Sequence, residues 1–337
     1  MMEEGLSESK ATGIGSHAEN ASTASGVFSH SEGKGSIAYG HYSHAEGQST
    51  KAYGHASHAE GDRTVTSSTA AYSHVEGHAT LAEGAHAHAE GQYTVASGVD
   101  SHAENYYTTA SGKYSHAEGG GTVASGMYSH AGGYKSTASG NGARSEGGAW
   151  YVDNNGKDKA LNGGTASGHG SHAEGIGTTA SGLGSHAEGY KTGSEGQYSH
   201  AEGYETTASG KYSHAEGGGT KAIGQYSHAE GTDSVASGEM SHAGGLGCTA
   251  SGYASVAFGS ASNAKNTVSV AIGDHVNSTQ KAEFACGKYN NSQEDTLFSI
   301  GNGTKESNRK NALEVKENGD IYILIGGVST KLQDLLK

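Results

Sequence analysis

The segment SHAEGYETTASGKYSHAEG, residues 199–217, decides the fold, because it contains one 14-residue repeat made of two similar halves. The pentapeptide Ser-His-Ala-Glu-Gly occurs eight times without change, and its histidine recurs every 14 residues from His74 to His130 and from His172 to His242. The same period continues to Phe298 after the histidine is lost, and before His74 it is kept apart from one step of 13 and one of 16 residues. A period held over this length predicts a repetitive fold and not a disordered tract.

The composition agrees with a repeat and excludes several classes of protein. The 337 residues include 57 glycines and no proline, and the formal net charge is −14. No stretch approaches the roughly 18 apolar residues that a membrane-spanning helix needs, and the segment from Met1 to Glu4 predicts no secretory signal. An acidic chain without basic clusters predicts no nucleic-acid binding.

Each period reads as two short strands, each followed by a glycine. This pattern predicts an all-β fold, a parallel β-roll or β-solenoid with 14-residue coils, in which backbone N–H groups bond to the next coil and proline has no place. We expect glycine to supply the left-handed backbone at the corners. The predicted parts are an irregular start at residues 1–15, a β-roll of about 20 coils at residues 16–303, and a C-terminal segment at residues 304–337. An interruption falls at residues 149–163, Ile321–Ile325 is expected as the last strand, and a short helix or coiled-coil stub is expected from Thr330.

Strand alternation assigns the two faces of each strand. Serine, alanine and threonine point into the thin coil, and histidine and glutamate point outward. Toward the C-terminus these outward positions become apolar, and such a row cannot face water, so this wall is expected to face another copy of the chain. The predicted interface consists of His116, Glu118, His186, Glu188, Val256, Phe258, Val270, Ile272, Phe284, Phe298 and Ile300.

Two resemblances follow from these motifs. Ser-Val-Ala-Ile-Gly at residues 269–273, with small residues at 7- and 14-residue spacing, resembles the head repeat of trimeric autotransporter adhesins. The combination of Ser-His-Ala-Glu-Gly and Thr-Ala-Ser-Gly resembles repeats of bacteriophage tail fibres and tail appendages, and residues 297–304, 311–315 and 318–320 are similar to distal tail-fibre segments. Together they cover roughly residues 16–325 and imply a left-handed, homotrimeric rod.

The repeated His-x-Glu pattern allows two interpretations. One is a network of hydrogen bonds and ion pairs between subunits, and the other is a metal-binding array, because imidazole and carboxylate suit zinc and similar ions. The candidate ligands are His44, Glu46, His58, Glu60, His116, Glu118, His172, Glu174, His186, Glu188, His214 and Glu216. A site repeated this often provides no unique nucleophile or base, so we predict no catalytic residues and no cofactor. A metal or anion on the three-fold axis is left open.

Tyrosine recurs at the corners of the coils. These rings are either covers along an edge of the roll or contacts for a receptor, since tyrosine combines apolar area with a polar tip. The candidate receptor contacts are Tyr128, Tyr198 and Tyr212, together with Trp150 and Tyr151 in the interruption, for which a plain structural loop is the alternative.

The sequence therefore predicts a non-enzymatic attachment protein. Its expected setting is a phage or phage-like tail fibre or appendage, assembled in the host cytoplasm, located in the virion and joined to other tail or baseplate components. Its expected partners are sister chains and a glycan or protein receptor on a bacterial surface, with no membrane insertion. The alternatives are a bacterial surface adhesin head, which would be extracellular, and a purely structural filament or spacer.

Overall fold

The computed structural model describes residues 8–152 and 157–336 and confirms an all-β parallel solenoid with coils of about 14 residues. The chain forms two compact units, one ending at Gly177 and the other starting at Thr178. Each coil contributes one strand to each of two walls, and the strands of a wall pair in parallel with their counterparts in adjacent coils. Within the described residues, no helix is long and apolar enough to cross a membrane.

One wall carries the histidines, and we call it the histidine wall. In the first unit its strands are His17–Glu19, His30–Glu32, His44–Gln48, His58–Asp62, His74–His78, His88–Gln92, His102–Ala103, His116–Ala117, His130–Ala131, Arg144–Glu146 and His172–Ile176. In the second unit they are His186–Tyr190, His200–Tyr204, His214–Gly218, His228–Ala229, His242–Leu246, Val256–Ser260, Val270–Asp274 and Phe284–Lys288.

The opposite wall consists of two-residue strands. In the first unit these are Lys10–Ala11, Thr23–Ala24, Ile37–Ala38, Lys51–Ala52, Val65–Thr66, Leu81–Ala82, Val95–Ala96, Thr109–Ala110, Val123–Ala124, Thr137–Ala138 and Thr165–Ala166. In the second unit they are Thr179–Ala180, Gly193–Ser194, Thr207–Ala208, Lys221–Ala222, Val235–Ala236, Thr249–Ala250, Asn263–Ala264 and Asn277–Ser278. The first of these strands lies in the segment for which the sequence predicts an irregular start.

Small side chains fill the space between the walls, as strand alternation predicts. In the coil that begins at Ser199, the inward residues Ala201, Thr206 and Ala208 are fully buried, and Ser199 is nearly so. The hydroxyl of Ser199 donates to the carbonyl of Gly196, three residues earlier, and this bond recurs in most coils. A core built from such residues offers little apolar area per coil, so the ladder of hydrogen bonds between coils provides much of the cohesion.

The expectation that glycine supplies the left-handed backbone is correct after the glutamate in most coils, but at the other corner it is correct only in some coils, as at Gly184. Gly203, after the glutamate, has a φ of 108°, as expected. Gly196, in the other half of the repeat, is not left-handed; a Cβ there would overlap the carbonyl oxygen of Gly210 in the next coil. The left-handed residue at that corner is Tyr198, with a φ of 55°. Glycine is required at position 196 because two coil backbones approach closely, not because of its dihedral freedom.

Irregular coils leave the strand register unchanged. The 13-residue step still aligns His17 with His30, and the 16-residue step aligns His58 with His74. At the interruption, Thr137 pairs directly with Thr165. The intervening chain forms an antiparallel hairpin of Ala149–Val152 and Asp158–Leu161.

The last parallel strand is Thr296–Asn302, and an antiparallel meander follows it. Its strands are Asn311–Lys316, Ile321–Ile325 and Val328–Lys331, followed by a single helical turn at Leu332–Leu335. The predicted strand Ile321–Ile325 forms, but it is not the last, because Gly326 and Gly327 turn the chain back. The expected helix is correspondingly shorter.

Candidate functional site: the histidine wall and the tyrosine ladders

The histidine wall holds its imidazoles in continuous stacks. Parallel pairing in register places each ring beside its counterpart one coil away, as for His44 and His58. Neighbouring ring centroids are 4.7–5.1 Å apart from His17 to His130, and 4.5–4.9 Å apart from His186 to His242. The 14-residue period thus becomes a one-dimensional array of aromatic nitrogen atoms.

The glutamates form a second row beside the imidazoles. The Nε2 atom of His44 is 3.9 Å from a carboxylate oxygen of Glu46, and that of His58 is 3.6 Å from Glu60. Both distances exceed a hydrogen bond. The carboxylates are half exposed, so the two rows together present nitrogen and oxygen donors along one face.

Some histidines reach back to the preceding coil and form true hydrogen bonds. His116 Nε2 lies 3.0 Å from Glu104 Oε1, and His130 Nε2 lies 3.2 Å from Glu118 Oε1. A histidine can therefore pair with the glutamate of its own coil or with that of the preceding coil. Only a small side-chain movement is needed to change from one pairing to the other.

Many of the Nε2 atoms are buried and have no hydrogen-bond partner. Those with less than 1 Å² of accessible area and no partner include His30, His44, His58, His74, His88, His102, His200 and His214. A buried polar atom without a partner is costly. The carboxylates of Glu46 and Glu60 lie 3.9 and 3.6 Å from the Nε2 atoms of His44 and His58.

Burial also controls the protonation of the stack. Burial lowers the pKa of His88, and so do the adjacent imidazoles of His102 and His74; the carboxylates of Glu76 and Glu104 act in the opposite direction without reversing the shift. Burial likewise lowers the pKa of His44, His58, His102, His200 and His242. These rings are consequently neutral at neutral pH.

Neighbouring carboxyl groups in the glutamate row influence one another's protonation. Burial, followed by the hydrogen bond with the neighbouring carboxyl of Glu76, raises the pKa of both Glu60 and Glu90, whereas the hydrogen bonds with Glu90 and Glu60 lower the pKa of Glu76. In this part of the row, Glu60 and Glu90 therefore hold their negative charges less readily than Glu76 does. A cation beside these carboxyl groups would favour their charged forms.

The structure brings together several of the predicted metal ligands. The donor atoms of His44, Glu46 and His58 lie within 4.8 Å of one another. Equivalent groups are His58, Glu60, His74; His102, Glu104, His116; and His186, Glu188, His200. Each of the other candidates has an imidazole or carboxylate partner within 3.8 Å: Glu118 with His130, His172 with Glu174, His214 with Glu202, and Glu216 with His228.

The C-terminal part of the histidine wall is apolar, as the sequence predicts. The predicted interface residues Val256, Val270, Phe298 and Ile300 are partly exposed, and Ile272 and Phe284 are 39% and 40% exposed. The rings of Phe284 and Phe298 stack with centroids 5.7 Å apart. The meander pairs with the edge of this sheet, so the outward apolar face stays uncovered within the described chain.

Phe258 joins the polar and apolar parts of the wall. Its ring packs edge-on against His242, with centroids 4.6 Å apart. Gly244 stands where earlier coils carry glutamate, and a Cβ there would collide with this ring. The loss of one side chain therefore makes room for the aromatic residue of the next coil.

The corner tyrosines form stacked ladders. Tyr198, Tyr212 and Tyr226 are separated by 5.5 and 5.0 Å between ring centroids, and Tyr114 and Tyr128 by 4.8 Å. Tyr128 is 63% exposed and Tyr198 is 51% exposed. Because the ring faces cover one another, a ladder presents ring edges and hydroxyl groups to its surroundings.

The interruption is a hairpin, which agrees with an excursion that leaves the repeat in phase. The side chains of Trp150 and Tyr151 lie outside the described part of the chain, so their predicted contact role stays a prediction.

Sequence reasoning missed a fully buried acid. Glu283 is fully buried at a position where earlier coils have serine. Its Oε2 atom accepts hydrogen bonds from the backbone N–H groups of Thr279 and Gln280 and from the hydroxyl of Ser292. The signal was available, since a glutamate at an inward position breaks the small-residue rule.

Comparison with known proteins gives one family match. The YadA head domain repeat matches residues 20–43, 89–115, 215–239 and 250–275. No curated protein sequence matches the chain. Four segments of the solenoid, which together make up less than a third of the chain, are therefore similar to the YadA head domain repeat.

Proposed function

We propose that this protein is a non-enzymatic attachment protein whose β-roll forms a homotrimer and acts at a bacterial cell surface. The observation that supports the homotrimer is the uncovered apolar part of the histidine wall, where Ile272 and Phe284 are about 40% exposed in a single chain. The equivalent positions of the opposite wall are polar, as at Asn263 and Lys265. A roll that exposes apolar side chains on only one of its two walls is suited to bind a partner through that wall.

The trimer is tested by mass. A single chain has a mass of 34.0 kDa, and sedimentation in dilute native buffer should give three times this value. Phe284→Glu should shift the population toward the monomer. Ser251→Glu, on the exposed opposite wall, should leave the mass unchanged. A wild-type monomer, or equal behaviour of the two variants, would remove the trimer proposal.

Two settings are consistent with such a roll. The YadA head repeat match favours an adhesin head displayed on a bacterial cell surface. The resemblance of residues 297–304, 311–315 and 318–320 to distal tail-fibre segments favours a phage tail fibre. Gold-labelled antibody against the protein distinguishes the settings, since it should decorate either intact cells or purified phage particles.

The tyrosine ladder is the proposed receptor contact. Tyr198 and Tyr212 are exposed, and their stacked edges offer hydroxyl groups to a glycan or protein receptor. Tyr198→Ala/Tyr212→Ala should abolish binding to target cells. Tyr204→Ala, which removes an exposed ring from the other corner, should bind as wild type; retention of binding by the double variant would exclude this ladder.

The absence of enzymatic activity is part of the proposal. The His-Glu arrangement is repeated from coil to coil, so among the described residues no position of the histidine wall stands out as a distinct acid and base. Incubation with capsular and lipopolysaccharide glycans should release no reducing ends. A time-dependent release that is lost in one glutamate variant would overturn this view.

A further inference from the structure

The donor atoms of the histidine wall are spaced as metal ligands are. In the coils from His44 to His74, each glutamate lies between two successive imidazoles, and the three donor atoms are within 4.8 Å of one another. In a tetrahedral zinc site with bonds of about 2.0–2.2 Å, ligand atoms are about 3.5 Å apart. The observed gaps between Nε2 and carboxylate, 3.6–3.9 Å, already approach that value.

The same nitrogen atoms lack partners. Nε2 of His44, His58 and His74 is buried and makes no hydrogen bond. An ion held jointly with the adjacent carboxylate would give each nitrogen a partner.

The charges of the wall also suit a cation. The formal net charge of the chain is −14, and a carboxylate accompanies each pair of imidazoles, as Glu46 accompanies His44 and His58. Two nitrogens and one carboxylate oxygen form a donor set typical of zinc and similar ions.

We propose that the histidine wall binds divalent transition-metal ions, each held by two successive imidazoles and the glutamate between them, with His44, Glu46 and His58 as the type site. All three ligands come from one chain, so the site is independent of the proposed trimer. The two rings are now parallel within 5° and must turn toward each other for both Nε2 lone pairs to reach one ion.

The shared ligands limit the stoichiometry. His58 belongs both to the group with His44 and Glu46 and to the group with Glu60 and His74. One Nε2 atom binds one ion, so the two groups cannot be filled together. Ions therefore occupy at most every second gap in the stack.

The test uses the full chain, stripped with a chelator and dialysed against zinc chloride at neutral pH. Bound zinc is counted by elemental mass spectrometry, and modification of each histidine by diethyl pyrocarbonate is mapped by peptide mass spectrometry. Zinc should bind saturably and slow the modification of His44 and His58. In Glu46→Gln/Glu60→Gln, zinc affinity at this position should fall about tenfold or more, and the protection of both histidines should disappear.

Glu83→Gln is the matched control, because it removes one carboxylate from the exposed opposite wall; it should bind zinc as wild type does. His58→Gln removes the shared ligand and should abolish protection of His44 and His74, even if the double glutamate variant does not fold. Sedimentation with and without zinc should give the same mass. Zinc binding that is absent, or that is unchanged in both wall variants, overturns the proposal.

Discussion

The substitution Gly196→Ala separates the two roles of glycine in this fold. Position 196 is not left-handed, and a Cβ there would overlap the backbone carbonyl of Gly210. Ordinary contact begins at 3.4 Å, so the next coil would have to move by about 1 Å or more, against a core that is close-packed.

The expected loss of stability can be worked out from the hydrogen bonds between coils that this movement would break. The N–H groups of Glu195 and Gly196 both donate to the carbonyl of Ala208, at 2.9 and 3.2 Å. Two such bonds contribute about 0.5–1.5 kcal/mol each, and overpacking adds about 1–3 kcal/mol. We expect a loss of about 2–6 kcal/mol in the free energy of unfolding of the second unit.

Gly193→Ala is the control, since position 193 is only three residues away, is not left-handed and has open space around its Cβ. It should be neutral or stabilise by about 0.4–1 kcal/mol. Urea unfolding followed by circular dichroism gives the free energy, and hydrogen exchange locates the loss in adjacent coils. Equal stability of the two variants would refute the close-approach argument.

Three further outcomes are expected. In chelator-treated protein, burial and the neighbouring His102 and His74 lower the folded-state pKa of His88, so the unfolded chain takes up protons first; stability should be full above about pH 6.5 and fall as the pH drops below it. Melting temperatures measured from pH 8 to 5 check this sign, and a rise on acidification would contradict it. Glu283→Gln should lower stability by about 1–3 kcal/mol in urea unfolding, because the amide cannot replace all the acceptor bonds, whereas the exposed Glu239→Gln should have no effect. Gly244→Ala should displace the Phe258 ring, seen as lost nuclear Overhauser contacts with the preceding imidazole; retained contacts would show that the ring does not need this space.

Much of the fold could be predicted from the period alone. A 14-residue coil with alternating strands fixes which residues point inward, and Ala201 and Ser199 are buried accordingly. The histidine stack follows from the same register, because equal steps along the chain place equal residues side by side. Both properties depend only on the number of residues between repeated positions, and this number can be read directly from the sequence.

The errors concern distances between backbones and single exceptions to the repeat. No pattern distinguishes Gly203, which needs its dihedral freedom, from Gly196, which needs its missing side chain. Similarly, nothing in the spacing shows that Tyr198 adopts the left-handed backbone or that Glu283 is capped by two N–H groups. Such features depend on contacts between coils that the sequence does not encode locally.

The constancy of strand register across coils of unequal length has a practical consequence. Because Thr137 pairs directly with Thr165 although a whole hairpin intervenes, extra chain at a corner leaves the neighbouring ladders undisturbed. A foreign epitope or fluorophore-binding peptide can therefore be grafted between Ala149 and Leu161 without retuning the scaffold. Insertions at a corner can therefore add new surface to the protein, because the strands of the two walls keep their pairing and continue to stabilise the fold.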